Sequence, residues 1–498
     1  MTSAATVIRS IGAELCRPWP RHILSTGDWQ AMAAALQDDP LRLLALWADT
    51  VQVHALFLNP TDGAALAASV DVEAGCYPAL SPTRAGAAWF ERMVHDLWGH
   101  RAVNGTDQRP WLDHGLWTHT APLAARPAPP APEREPPQFL GDPESSHMQW
   151  PIGPVTGDLG EAVHLRLTLQ GDRILRAEAR LGYTHKGTLA LMRGKSPRTA
   201  ARFAARLTGD ATVAHSIAFA TATEAALGVE PPPRAAALRA MMAEVERLVG
   251  HLDQLAMVAA HAHAPDIEAR CSTGREWLMR AASIAFGHRL MMDVVVPGGV
   301  SADLAIEGPR ALLRAMGAIA TDLPDLRRAF EGSLLGGRLI GTAMVTQAEL
   351  QRFSVGGVAA RAAGLRYDVR RLAPVYVPLR LVPAIDTGGD AAARVRVRLL
   401  EIGESLRLVA ALIESLPDGP TTVALPMNSG EGVGCAESIH GDVWHWLRLD
   451  HGQIAAVFPR DPGWALWPLA ETMLMAAPVE DVGVIQSSLG LPVSGMDL

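Results

Sequence analysis

The sequence of 498 residues is 49% hydrophobic and carries 44 basic against 52 acidic residues, a net charge of −8. A chain of that length and apolar content buries a core large enough for two or three domains, which excludes disorder as its default state. An acidic balance without a clustered basic face likewise excludes a nucleic-acid surface.

Lysine occurs only at Lys186 and Lys195, so arginine supplies nearly all the positive charge, a bias of genome composition that carries no functional weight. Residues Met1 to Ile11 lack a basic start followed by an apolar run, and no window of about 18 to 20 residues is apolar enough to cross a bilayer. A soluble, cytoplasmic chain is expected. Cys16, Cys76, Cys271 and Cys435 lie far apart without a C-x-x-C spacing, so they read as buried, reduced thiols, not as a disulfide framework or a zinc or iron-sulfur site.

In chain order, residues 1–120 alternate helical patterns with strand-like pieces such as Val51 to Leu58, which predicts a small α/β domain. The run from Ala121 to Pro137 is too rich in proline to pack and predicts an extended linker, set at 121–148. The large domain, 149–498, opens with the alternation His164 to Leu169 and the turn Gln170-Gly171-Asp172, which predicts a β-hairpin. Ser196-Pro197 caps a helical pattern that ends near Gly228, so Arg206 to His215 is placed on that helix. Its small residues, Thr199 to Leu227, suit a buried central packing helix. Pro231 to Pro233 start another helix to about His263, and further patterns cover about Ile267 to Leu290, Arg310 to Phe330 and Asp390 to Leu416. His261 and His263 face different directions on a helix and make no metal tract. From Thr421 the sequence is irregular and strand-bearing. The fold class is α+β, a small α/β domain followed by a mainly helical bundle that opens on a hairpin.

Several segments carry a resemblance. Phe90-Glu91-Arg92 through Asp96-Leu97-Trp98-Gly99 resembles the E-R-E-x-x-D segment of the complex I C subunit, and His119 to Leu123 resembles its closing H-P-L. The rest is similar to the complex I D subunit and, more closely, to the large subunit of energy-converting nickel-iron hydrogenases of the formate hydrogenlyase type, in which C-like and D-like parts are fused in this order. Gly153-Pro154 through His164 fits the G-P-x-H-x-x-x-x-E-x-x-H segment with Glu161 and His164 kept and Thr156 at the first histidine. Leu181 to Gly187, Pro231 to Leu252 with Glu244, Glu246, Arg247 and His251, Tyr367 to Arg370, Arg394 to Arg398 and Glu437 to Asp442 follow in the family's order.

The departures constrain the chemistry. The family holds nickel and iron with two cysteine pairs; thiolates suit a soft, redox-active metal and hydroxyl or methyl groups do not. Here the first pair aligns with Thr208 and Ala211 and the second with Pro492 and Gly495, while Arg206, Gly209 and His215 remain. His440 stands where the family places an arginine. Family large subunits carry a tail that is removed after nickel insertion, so an end at Leu498 is expected of a chain without nickel. The complex I quinone donors are also replaced, by Thr156 and Gly209. Asp210, Thr208 and Glu161 have no recognised metal-ligand spacing, and no metal site is expected.

The resemblance implies an electron-transfer subunit of a membrane-associated, ion-translocating oxidoreductase complex without a nickel-iron centre. In that reading the emptied cavity, lined by Thr156, Glu161, Thr208 and His440, accepts a quinone or another small redox partner, with His215, Asp210 or His164 supplying protons. No cofactor is held directly; a 4Fe-4S cluster belongs to a B-like iron-sulfur small subunit. H-like and antiporter-like membrane subunits complete the implied complex, with the chain peripheral on the inner face of the cytoplasmic membrane. The other reading is a structural subunit with a collapsed cavity, in which Asp210 and His215 only satisfy buried hydrogen bonds. No G-x-G-x-x-G follows a strand, so an NAD site on this chain is not expected.

Overall fold

The computed structural model describes residues 3–60, 63–130, 138–140, 147–155, 161–332 and 334–498. Helices and strands are mixed in an α+β fold. The first part holds α1 (Ala4–Arg9), β1 (Ala13–Glu14), β2 (Arg21–Leu24), α2 (Thr26–Ala35), β3 (Arg42–Ala48), β4 (Gln52–Leu58), β5 (Ala65–Asp71), β6 (Cys76–Pro78), α3 (Ala87–Trp98) and β7 (Arg101–Val103). Strands β1 to β5 form one sheet in the order β1-β2-β5-β4-β3. The tight β3–β4 turn follows from Asp49, whose carboxylate accepts the amides of Val51 and Gln52 at 2.9 and 2.8 Å.

The motif residues on α3 hold loops in place. Glu91 accepts the amides of Leu80 and Ser81 at 2.7 and 2.9 Å. Arg92 donates to the carbonyls of Arg109 and Pro110, and Asp96 accepts three successive amides from Trp111 to Asp113. Gly99 closes the helix with φ 76°, a left-handed cap that glycine adopts without strain.

The second part opens with β8 (Met148–Ile152), β9 (His164–Gln170) and β10 (Arg173–Arg180), the expected hairpin with a third strand at its edge. Then come α4 (Thr188–Met192), α5 (Pro197–Ala204), α6 (Thr212–Leu227), α7 (Pro233–His261), α8 (Pro265–Phe286), β11 (Val295–Val296), β12 (Gly299–Val300) and α9 (Gly308–Glu331). After these follow α10 (Leu334–Leu339), α11 (Gln347–Phe353), α12 (Gly357–Ala362) and α13 (Ala391–Glu414). The chain closes with β13 (Gly430–Glu437), β14 (Asp442–Asp450), β15 (Gln453–Arg460), α14 (Gly463–Leu474) and α15 (Val482–Leu489). Long α7 packs against α8 and α13, and α8 against α9. The stretch after Thr421 is more regular than expected, since β13 to β15 form an antiparallel meander.

One helix is corrected. The pattern from Ser196 to Gly228 is not continuous: α5 ends at Ala204, α6 starts at Thr212, and Thr208, Gly209 and Asp210 lie in the loop between. The Thr208 hydroxyl donates to Asp210 at 2.6 Å, a local bond of the kind that competes with helix, and Ala211 sits at φ −135°, outside it. Of the expected linker, 131–137 and 141–146 lie outside the described residues. Ala121 to Pro130 is irregular, yet Leu123 is buried and its amide donates to Leu97.

Candidate functional site

The α5–α6 break opens one wall of a cavity of about 220 Å³. Gly209 and Asp210 form that wall, Glu161 stands before β9, α7 contributes Asp253 and Gln254, the β13–β14 turn contributes His440, and Pro492 comes from the loop after α15. The two segments expected to lack cysteines therefore converge. Glu161 ties the second one down: its carboxylate accepts the amides of Val493 and Ser494 at 2.7 and 2.9 Å and the Ser494 hydroxyl.

At the centre His440 Nε2 and Asp210 Oδ2 are 2.6 Å apart, and Thr208 holds the other Asp210 oxygen. Burial resists charge on both partners. Against it, His440 and the Thr208 hydroxyl hold the Asp210 carboxyl down at about 2, and Asp210, helped by Asp461, raises the His440 imidazole above its ordinary value. An imidazolium presents two N–H groups; here Nε2 is taken by Asp210 and Nδ1 is buried without a partner. Gln254 Oε1 and Gln486 Nε2, on the same lining, are also unpartnered.

Other expected residues fall elsewhere. His215 is fully buried, with Nδ1 at 3.0 Å from His445 and Nε2 at 3.1 Å from Asp461, and it does not line the cavity. His164 is also displaced from the cavity: its ring packs on Phe139 at 5.1 Å, and burial, with Arg180 and Arg166 nearby, lowers it. Neither residue is on the lining of this cavity. A strand residue beside Arg180 and a helix residue five after Asp210 do not share its wall. Thr156 lies outside the described residues.

Sequence reasoning passed over Glu246 and Asp461. Glu246 caps α6, accepting the amides of Val213 and Ala214 at 2.6 and 3.0 Å, while burial pushes its carboxyl up to about 8 against them. Asp461 fills space beside the second cysteine-lacking segment: a Cβ on Gly495 would stand 2.2 Å from its Oδ2. Neither role is visible in local spacing. Glu246 belongs to a segment singled out by resemblance; Asp461 carried no signal.

Behind the cavity runs a buried ion-pair network. Glu401 contacts His251 at 2.7 Å, Arg361 at 2.7 Å and Arg247. Arg361 reaches Glu437 at 2.6 Å; Arg370 joins Asp368 at 2.6 Å to Glu244 at 3.1 Å. Most of these residues lie in the resembling segments, so much of that pattern encodes one charge-balanced core. Among the described residues no group of three His, Cys, Asp or Glu side chains is arranged to hold a metal ion.

The respiratory-chain NADH dehydrogenase 49 Kd subunit family matches residues 269–429, and the nickel-dependent hydrogenase family matches 186–256. Formate hydrogenlyase subunit 5 of Escherichia coli is 29% identical over 443 residues, 84% of this chain and 76% of that protein. The D subunit of the NADH-quinone oxidoreductase of Acidiphilium cryptum is 28% identical over 275 residues, 55% of this chain and 68% of its own. A chain in the structure of the membrane-bound sulfane sulfur reductase (MBS), an archaeal respiratory membrane complex, superposes with TM-score 0.67 at 23% identity. It covers 72% of this chain and 100% of that one, a likeness of fold.

Proposed function

Since the chain belongs to the family that joins the hydrogenase large subunits with the complex I D subunits, we propose that it is the electron-transfer subunit of a membrane-associated, ion-translocating oxidoreductase complex and reduces a quinone or similar small redox partner in the cavity at Asp210 and His440. Residues 1–120 are then its C-like part, 149–498 its D-like part, and 121–148 the connection between them. A B-like small subunit with a 4Fe-4S cluster supplies electrons. H-like and antiporter-like subunits anchor the complex, and the chain sits on the inner face of the cytoplasmic membrane. No helix among the described residues is long and apolar enough to cross a membrane, in keeping with a peripheral place.

The nickel-iron group of the hydrogenases does not fit this lining. Thr208, Ala211, Pro492 and Gly495 offer no thiolate, and Asp461 stands where a side chain on residue 495 would go.

The Asp210–His440 dyad supports this function. His440, held by Asp210 on the cavity lining, is the proton donor of this reading, and general acid catalysis of this kind contributes roughly a hundredfold or more. The open volume favours this over a collapsed, purely structural cavity. The experiment is turnover of the intact complex with His440→Gln, alongside elemental analysis of the unaltered complex. Turnover is expected to fall roughly a hundredfold while assembly persists, with no stoichiometric nickel. Unchanged turnover, combined with loss of assembly on Arg247→Ala, favours the structural account.

A further inference from the structure

A second cavity of about 220 Å³ lies at the seam where α3 and the loop after it meet β10 and α14. Its walls hold buried polar groups without partners. His114 is 7% exposed with neither ring nitrogen partnered, and Trp111 is 2% exposed with its indole N–H unpartnered. Nε of Arg180 is also buried and unpartnered, and among the described residues no carboxylate pairs with this guanidinium, which lies over the Tyr183 ring. The nearby carboxylates do not compensate. Glu178 is taken by Arg109 at 3.1 Å and by the Leu140 amide at 3.0 Å. Glu471 accepts the Ala179 amide at 2.7 Å, and burial beside Glu178 pushes it up to about 8, so near neutrality it adds an O–H donor.

Buried donors and an unpaired guanidinium each carry a desolvation cost that an anionic acceptor removes. The volume, about seven waters at about 30 Å³ each, suits a molecule of modest size. Trp89 and Trp111, with ring centroids 4.7 Å apart, line it with apolar surface that a bare inorganic ion leaves unused.

We propose that this seam is a binding site for a small organic carboxylate, with the carboxylate group on Arg180, His114 and the Trp111 N–H and the carbon skeleton against the tryptophans. The site joins the two parts of the chain and is separate from the Asp210–His440 cavity, so it does not depend on the proposed function. Isothermal titration of the full chain with succinate and benzoate, with inorganic phosphate at matched ionic strength, tests it. Saturable binding of at least one carboxylate is expected, phosphate binding much more weakly, with at least tenfold weaker carboxylate binding in Arg180→Gln. Should that variant misfold, Trp111→Phe keeps the ring, removes the N–H and is expected to weaken binding several-fold. No saturable binding by either carboxylate, phosphate binding as tightly, or unchanged affinity in the folded variants would overturn the proposal.

Discussion

His440 and Asp210 act on one another's proton. Burial works against charge on both, and their mutual attraction wins, raising His440 above its ordinary 6.5 and holding Asp210 at about 2 instead of 3.8. The sign follows from linkage. The raised imidazole contributes stability fully below 6.5 and loses it as pH rises through its folded value. The lowered carboxyl contributes above 3.8 and loses it as pH falls towards about 2. In Asp210→Asn the stability lost relative to the unaltered chain is therefore expected to be larger at pH 5.5 than at pH 9 in urea unfolding. Turnover should behave in parallel: if the imidazolium is the acid, activity falls as pH rises through its value, and removing the Asp210 anion moves that fall to lower pH. A fall that stays in place in Asp210→Asn would remove His440 from the role. Both residues could be picked out from the sequence one at a time, but not their pairing, because 230 positions separate them and neither lies in a spacing that brings it to the other.

At the scale of elements, α6 against β13 explains why that helix is so poor in large side chains. Gly430, Gly432 and Gly434 lie on one face of β13, and a Cβ on each would stand 2.2, 2.2 and 2.3 Å from the carbonyls of Ala226, Ala222 and Ala218. Two residues along a strand advance about 6.6 Å and four along a helix about 6 Å, so glycines two positions apart meet alanines four positions apart, backbone against backbone. Gly432→Ala is thus expected to destabilise the chain by about 1–3 kcal/mol, the range for overpacking, with a matching drop in denaturation midpoint. An unchanged midpoint would mean that α6 has room to shift. The buried packing helix was legible from its small residues. Its break at Thr208 to Asp210 had only a local signal, Gly209 between two poor helix formers, while the cap that starts the second half comes from Glu246, 33 residues beyond Val213.

Over the whole molecule, the first part and the C-terminal sheet share one apolar core. Trp47 stacks on Phe458 at 5.5 Å and 3°, and Phe90 on Trp464 at 4.3 Å. Arg21 grips Glu431 with two bonds of 2.7 and 3.0 Å, and Arg460 donates to the Leu44 carbonyl at 3.1 Å. Composition marks a proline-rich stretch but not this contact, since aromatic residues hundreds of positions apart leave no periodic trace of their meeting. Such a seam couples the two parts energetically: separating them exposes Trp47, Phe90 and Trp464, and burying a large apolar side chain is worth about 1.5–3 kcal/mol. It also strips Arg21 and Glu431 of their opposite charges, leaving Arg21 with Gln52 and Ser69 and Glu431 with the Trp446 N–H. Independent domains joined by a linker would unfold in separate steps, whereas parts that share a core unfold together. Denaturant unfolding followed by tryptophan fluorescence and by far-ultraviolet circular dichroism is expected to give coincident transitions. Trp47→Ala, which empties the centre of the seam, should lower the shared midpoint by the equivalent of about 3–5 kcal/mol and not split the transition. Two separated transitions in the unaltered chain would show that the seam is too weak to bind the parts into one cooperative unit.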